Sequence, residues 1–213
     1  MLKVGLTGGI ASGKSTVGEM LVSMGAHLIQ ADGIAHELMQ PGQEVYEEVI
    51  RHFGMGILNP DGKVNRARLA AAAFGAPGSK QTSRIEELNH IVHPAVIKKQ
   101  DEWMEEIGRK DARAIAIVEA ALILEANVAS HFDRIIVVTC RPEQRIERWA
   151  AKTKVSVEAA RQEIMRRTAA QVPDEEKIKA ADYVIDNLGT LEETRDKVRE
   201  VYGKLRVAAK SQA

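Results

Sequence analysis

Short runs of apolar residues alternate along this chain with longer stretches in which apolar positions return every three or four residues. The first pattern belongs to strands and the second to amphipathic helices, and their alternation predicts an α/β fold on a parallel sheet. Five strands are expected, over Leu2 to Thr7, Ala26 to Gln30, Arg113 to Glu119, Asp133 to Thr139 and Tyr183 to Asp186. The third and fourth, AIAIVEA and RIIVVT, are nearly continuous in apolar residues and rich in Ile and Val, as strands covered by helices on both faces should be. Helices are expected over Lys14 to Met24, Val45 to Phe53, Arg66 to Phe74, Arg84 to Gly108, Glu143 to Lys152, Val157 to Ala170 and Leu191 to Ala208.

More than eighty residues separate the second strand from the third, far more than one crossover helix needs, so an inserted helical subdomain is expected there. Within it, GMGILNPDGKVNR carries Pro-Asp-Gly turn chemistry, which breaks one helix before Asn65 caps the next. His93-Pro94 falls inside a long helical pattern, where the proline is expected to kink or restart the helix.

Composition narrows the function classes. A chain of 213 residues with 45% hydrophobic content can bury one full core. Thirty basic residues balance thirty acidic ones, so no global field holds the chain on nucleic acid or an anionic membrane. Two Trp, three Tyr and three Phe are too few for base-stacking platforms. The single cysteine, Cys140, rules out an internal disulfide and fits a reducing compartment; it reads as a small buried residue at a strand end. The opening apolar stretch is too short for a signal peptide and no run approaches the ~20 apolar residues of a membrane helix, so a soluble, cytoplasmic protein is expected.

The strongest chemical signal is Gly8-Gly9-Ile10-Ala11-Ser12-Gly13-Lys14-Ser15-Thr16, which fits G-x-x-x-x-G-K-[ST] between an apolar strand and a helix. Glycines let the backbone curl into a ring of N–H donors, the following helix points its positive end inward, and the two together hold phosphate oxygens. Gly9, Ile10, Ala11, Ser12, Gly13, Lys14, Ser15 and Thr16 are therefore the expected ATP-binding residues. Lys14 would bridge the β and γ phosphates, and the Ser15 hydroxyl would hold Mg²⁺.

In open α/β sheets ligands bind beyond the carboxyl ends of the strands, so polar residues just past each strand are the next candidates. Asp32 follows the second strand and is read as the general base that takes the proton of an attacking hydroxyl, or as the N-cap of GIAHELM. Glu119 ends the third strand and resembles a Walker B acid holding the metal's water shell, or is a solvated strand-end charge. Arg141 follows the fourth strand, and Asp186 and Asn187 close the fifth.

From Arg141 to Gln171 there are eight basic residues against four acidic ones, and from Val172 to Glu200 nine acidic against five basic. A basic helix-loop-helix beside a phosphate loop suggests a lid whose guanidinium groups close on the γ phosphate, with Arg148 and then Arg145 as the leading candidates. The alternative is a solvated amphipathic helix pair with ordinary i,i+4 charge partners.

Taken in order, LTGGIASGKSTV, ADGIAHEL, DGKVNRARL, the HP of His93-Pro94, LILE and ADYVIDN resemble the dephospho-CoA kinase family from Lys3 to about Asn187. The resemblance implies a P-loop kinase fold, a five-stranded parallel sheet flanked by helices, with a core at about 1–32, 112–141 and 181–208. It further implies a helical CoA-binding insertion at about 33–111 and a lid at about 142–172. It implies transfer of the ATP γ phosphate to the ribose 3′-hydroxyl of dephospho-CoA, with ATP and Mg²⁺ as cofactors. Neither nucleic acid nor membrane is an implied partner. On that comparison Asp32 matches the catalytic aspartate and acts with Lys14 and Arg148. His93, Glu119 and Arg145 join Asp32 toward the acceptor, Glu119 reaching the metal through water. Arg141 and Asn187 fall on the ATP side, Asn187 near the adenine.

The chain departs from the family pattern at several positions. Gln30 stands where many members have the first Asp of D-A-D, Ala121 replaces a usual Pro, Arg145 occupies a place often held by Gln, and Lys152 one often held by Arg. Lysine lacks the planar fork of arginine, which moves bidentate phosphate contact to Arg148 or Arg145. Two other readings share the phosphate loop: a kinase for a different small hydroxyl compound, and a nucleotide-binding regulator that transfers nothing.

Overall fold

A computed structural model describes residues 1–74, 84–169 and 171–211. The five expected strands all form, as β1 (Leu2–Gly8), β2 (His27–Gln30), β3 (Ile115–Glu119), β4 (Arg134–Thr139) and β5 (Tyr183–Asp186). They make one parallel sheet in the order β2-β3-β1-β4-β5. β1 is central, with Leu6 level with Glu119 of β3 and Gly8 level with Val138 of β4. That register brings the phosphate loop, Glu119 and the end of β4 to one rim.

The strands alternate faces with period two. Leu2, Val4, Leu6, Ile136, Val138 and Ile185 pack with Val17 and Leu21 of helix α1 (Lys14–Ser23) and Val198, Val201 and Leu205 of helix α9 (Leu191–Ser211). Ile135 and Val137 face the other way, toward Ile123, Val128 and Phe132. Gly5 lies on that second face, and a Cβ there would stand 2.8 Å from the tip of the Ile135 side chain, which would have to shift to admit it.

The described chain divides into two units, 1–30 with 104–213, and 31–103. The first holds the sheet, α1, α9, and the helices α6 (Pro142–Thr153), α7 (Val157–Thr168) and α8 (Asp174–Ala180). The expected helix end at Ala170 lies outside the described residues, as do the last two residues of the terminal tail.

The second unit holds α2 (Ala31–Leu38), α3 (Glu44–Phe53), α4 (Arg66–Phe74) and most of α5 (Ile85–Lys110). The Pro-Asp-Gly turn forms with Gly62 at φ +80°, and Asn65 Oδ1 accepts the Arg68 N–H at 3.0 Å, the expected cap of α4. His52 and Arg84 both bind the Glu87 carboxylate at 2.7 Å, and the Arg84 guanidinium lies 4.4 Å from the centre of the Phe53 ring. Two local expectations are corrected. The helix does not restart at Pro94: α5 is one element from Ile85 to Lys110. Residues 174–180, where no helix is expected, form α8, and the helix that Asp32 would cap forms as α2 from Ala31 to Leu38 with Asp32 inside it. Both are short, where periodicity carries little information.

Candidate active site

The loop after β1 takes the conformation its glycines permit. Gly8 has φ +148° and Gly13 φ +100°, with Ala11 between them at φ +56°. An added Cβ at Gly8 would stand 2.2 Å from the Val138 carbonyl oxygen, and at Gly13 2.1 Å from Asn187 Nδ2. Both positions exclude any side chain, by contact as well as by backbone conformation. Lys14 folds back over the loop and donates to the carbonyls of Gly8 and Gly9 at 3.0 and 3.1 Å. Its ammonium group therefore stands within the curl at the start of α1, whose unpaired N–H groups and dipole favour anions.

Ser15, in the first turn of α1, donates its hydroxyl to Oε1 of Glu119 at 2.7 Å. Oε2 of the same carboxylate accepts from Gln30 Nε2 at 3.1 Å. Glu119 is buried, so both oxygens have donors where an unpaired charge would be costly. Gln30, where the family pattern has an acid, turns out to be a donor that holds Glu119. Residue type alone signals only the loss of a carboxylate; the pairing depends on β2 lying beside β3 with Gln30 level with Glu119.

The loop is gripped from the other side by the end of β5 and by α6. Asn187 Nδ2 donates to Ser12 O at 2.9 Å, while its Oδ1 accepts from Thr194 of α9 at 3.0 Å. Arg148 donates from Nη1 to Ser12 O at 3.3 Å and from Nη2 to Asn187 O at 2.9 Å. Asn187 is thus a buried clamp on the loop, and Arg148 spans the loop and β5. Thr194 was invisible to pattern reading, being one more polar position in a terminal helix. Asp186 is turned to Lys197, at 2.5 Å from Oδ1 to Nζ.

Arg145 is buried, and its guanidinium lies on the backbone of Gly9: a Cβ built there would meet Nη1 at 2.5 Å and Cζ at 2.7 Å. It forms an ion pair with Asp174 at the start of α8. Arg141 is exposed at the N-cap of α6, its backbone N–H bonded to Gln144 Oε1 at 3.1 Å. On α7, hydrogen bonds from Arg166 and then Arg167 hold the Glu163 carboxyl down at about 2. Cys140, just past β4, is buried with its sulfur 3.8 Å from Ala11 O.

The fold thus brings together Gly8 to Thr16, Gln30, Glu119, Arg145, Arg148 and Asn187. Asp32 and His93 lie in the other unit. Asp32 is exposed in the first turn of α2, two residues along the chain from Gln30, and is a helical residue rather than the cap before one. His93 is half-buried on α5, and burial, with the nearby His90, depresses its pKa below 6.5.

A family model described as dephospho-CoA kinase matches residues 2–193. The chain belongs to the dephospho-CoA kinase family. A dephospho-CoA kinase of Corynebacterium efficiens is 40% identical over 195 residues, 92% of each chain. One from Aquifex aeolicus is 38% identical over 205 residues, 96% of this chain and 98% of that one. Among solved structures, TT1252 from Thermus thermophilus superposes with a TM-score of 0.76 at 31% identity, over 96% of this chain and 97% of that one. Dephospho-CoA kinase from Campylobacter jejuni gives a TM-score of 0.58 at 25% identity, over 95% and 96%. A shikimate kinase from Bacteroides thetaiotaomicron, at 13% identity and a TM-score of 0.50, shares the fold alone. The chain is accordingly an ATP-dependent kinase of P-loop fold with dephospho-CoA kinase activity. No helix among the described residues is long and apolar enough to cross a membrane.

Proposed function

We propose that the phosphate loop holds ATP with Mg²⁺, that Asp32 deprotonates the ribose 3′-hydroxyl of dephospho-CoA, and that the γ phosphate passes to that oxygen, leaving ADP and CoA. The observation that carries this reading is the Ser15–Glu119 hydrogen bond beside a loop over which the Lys14 ammonium group is folded.

Ser15 Oγ and the Glu119 carboxylate are hard oxygen groups of the kind Mg²⁺ takes, and the two would hold the ion beside the bound phosphates. When bound, the ion neutralises phosphate charge that develops during transfer. Gln30 keeps the Glu119 carboxylate aimed at Ser15. Lys14 sits on the Gly8 and Gly9 carbonyls, and its flexible stem would let the ammonium group turn from them to the β and γ oxygens. Arg145 and Arg148 supply positive charge along the loop from the lid segment at 142–172. Phosphoryl transfer involves little covalent chemistry for the protein, so positioning and charge stabilisation are the main tasks of these groups.

Asp32, solvent-exposed in the first turn of α2, offers the carboxylate oxygens a general base needs. The CoA-binding role falls to the helical insertion, where His93, kept neutral by its surroundings, offers the acceptor an uncharged donor and acceptor pair. Arg141 and Asn187 stand on the ATP side, Asn187 acting through its hold on Ser12.

Incubation with ATP, Mg²⁺ and dephospho-CoA should yield ADP and CoA in equal amounts. Absence of either product, with ATP still bound, would defeat the acceptor assignment.

A further inference from the structure

We infer that Asp174 is a positioning residue for phosphoryl transfer: it holds the Arg145 guanidinium flat on Gly9, at the phosphate loop, and is itself held there by Glu125. The inference rests on Arg145 serving the phosphates, and adds the residues that aim it.

Arg145 keeps only 4% of its side chain exposed, and among the described residues its ion-pair partner is Asp174, whose side chain is 37% exposed. The guanidinium sits so close to Gly9 that no side chain could stand between it and the loop backbone. Its Nε is buried without a hydrogen-bond partner among the described residues. A desolvated cation with a spare donor, one wall of which is a phosphate-binding backbone, is prepared for an anion with several acceptor oxygens. Without a carboxylate beside it, the same cation would be a buried unpaired charge and would leave the loop for water.

Asp174 is placed by a second buried charge pair. Glu125, on the segment after β3, accepts the Val172 N–H at 3.0 Å through Oε1. The same oxygen lies 2.8 Å from Nζ of Lys177, a fully buried lysine, in an ion pair whose alignment falls short of a hydrogen bond. Glu125 thus fastens the chain on both sides of Asp174, at Val172 and at Lys177, against the turn segment that follows β3. Fixing both flanks of a short helix limits where its first carboxylate can go.

The test is a double-variant cycle on the full chain, reading kcat, KM and, without acceptor, the Kd for ATP. Arg145→Ala must lower kcat; if it keeps wild-type kcat, the role of Arg145 fails and the inference with it. Given that loss, Asp174→Asn should lower kcat by roughly tenfold or more while ATP Kd moves less than about threefold, since the near-isosteric change removes orientation rather than binding area. Asp174→Glu should recover most of it. The Arg145→Ala/Asp174→Asn pair should be no slower than Arg145→Ala alone, because both changes act through one guanidinium. Losses that multiply, or a kcat decline in Asp174→Asn that only tracks the folded fraction seen by circular dichroism, would overturn the inference. If Asp174→Asn disturbs folding, Glu125→Gln made together with Lys177→Met, which removes both buried charges at once, gives the second reading: it should lower kcat through the same route, again without further loss on an Arg145→Ala background.

Discussion

The Ser15 hydroxyl lies 2.7 Å from Oε1 of Glu119, joining the first turn of α1 to the end of β3 across the rim of the sheet. The two residues are 104 positions apart in the chain, and only the pairing of β1 with β3 brings them together. On this pair depends the assignment of the metal site. Glu119→Gln should raise the Mg²⁺ concentration needed for half-maximal turnover by about tenfold or more, with thermal stability little changed because the amide oxygen still accepts from Ser15 and a turned Gln30 amide accepts from the new NH₂. Gln30→Leu, which strips a donor from the buried carboxylate, should move the same midpoint in the same direction by less. Magnesium titrations of the three proteins decide the matter, and unshifted midpoints would remove Glu119 from the metal's surroundings.

Asp32→Asn should keep ATP affinity and lower turnover by roughly a hundredfold or more, the scale of a lost general base. Lys14→Ala differs in kind and should weaken nucleotide binding as well as transfer. Unchanged turnover in Asp32→Asn would return that residue to a purely helical role at the start of α2.

Gly8→Ala and Gly13→Ala test the loop as a packed object. At Gly8 the new methyl meets backbone at 2.2 Å, and at Gly13 it meets the Asn187 amide at 2.1 Å, each at positive φ. Strain of about 1–3 kcal/mol for the conformation, with displacement of the contact added, should lower the thermal midpoint by several degrees in a chain of this size. Gly13→Ala should also reduce ATP affinity, since relief requires Asn187 to leave Ser12. Scanning calorimetry and nucleotide titration read the two effects separately.

His93 supplies a pH signature. Its folded pKa lies below 6.5, chiefly because burial disfavours the charged ring and then because of His90, while the unfolded chain titrates at the ordinary value. Between those two values the unfolded state binds more protons, so stability rises with pH across that window. The contribution is complete above about 6.5 and is lost as pH falls toward the folded value. Urea midpoints measured from pH 5 to 8 should fall more steeply below 6.5 for the native chain than for His93→Gln. Parallel curves would deny that His93 is the group responsible.

Strand identity was legible because β1, β3 and β4 are buried on both faces and read as continuous apolar runs, a pattern that does not depend on which strand lies beside which. The phosphate loop was legible for a related reason: its glycines, lysine and hydroxyls are demanded by local backbone geometry and follow one another in sequence. Helix α8 was not legible and α2 only through the reading of Asp32 as a cap of GIAHELM, both being short enough that packing outweighs periodicity, and α5 runs through Pro94 where local rules expect a break.

By itself, then, the sequence determined the α/β class, the five strands, the phosphate cradle and the family, each through residues that act locally or through motifs in a set order. Tertiary structure alone decided which side chains meet. Gln30 became a donor to Glu119, Asn187 a clamp on Ser12, and Arg145 a buried cation between Gly9 and Asp174. Those pairings depend on strand order and helix placement, which set distances between residues far apart in the chain, and no local propensity encodes them.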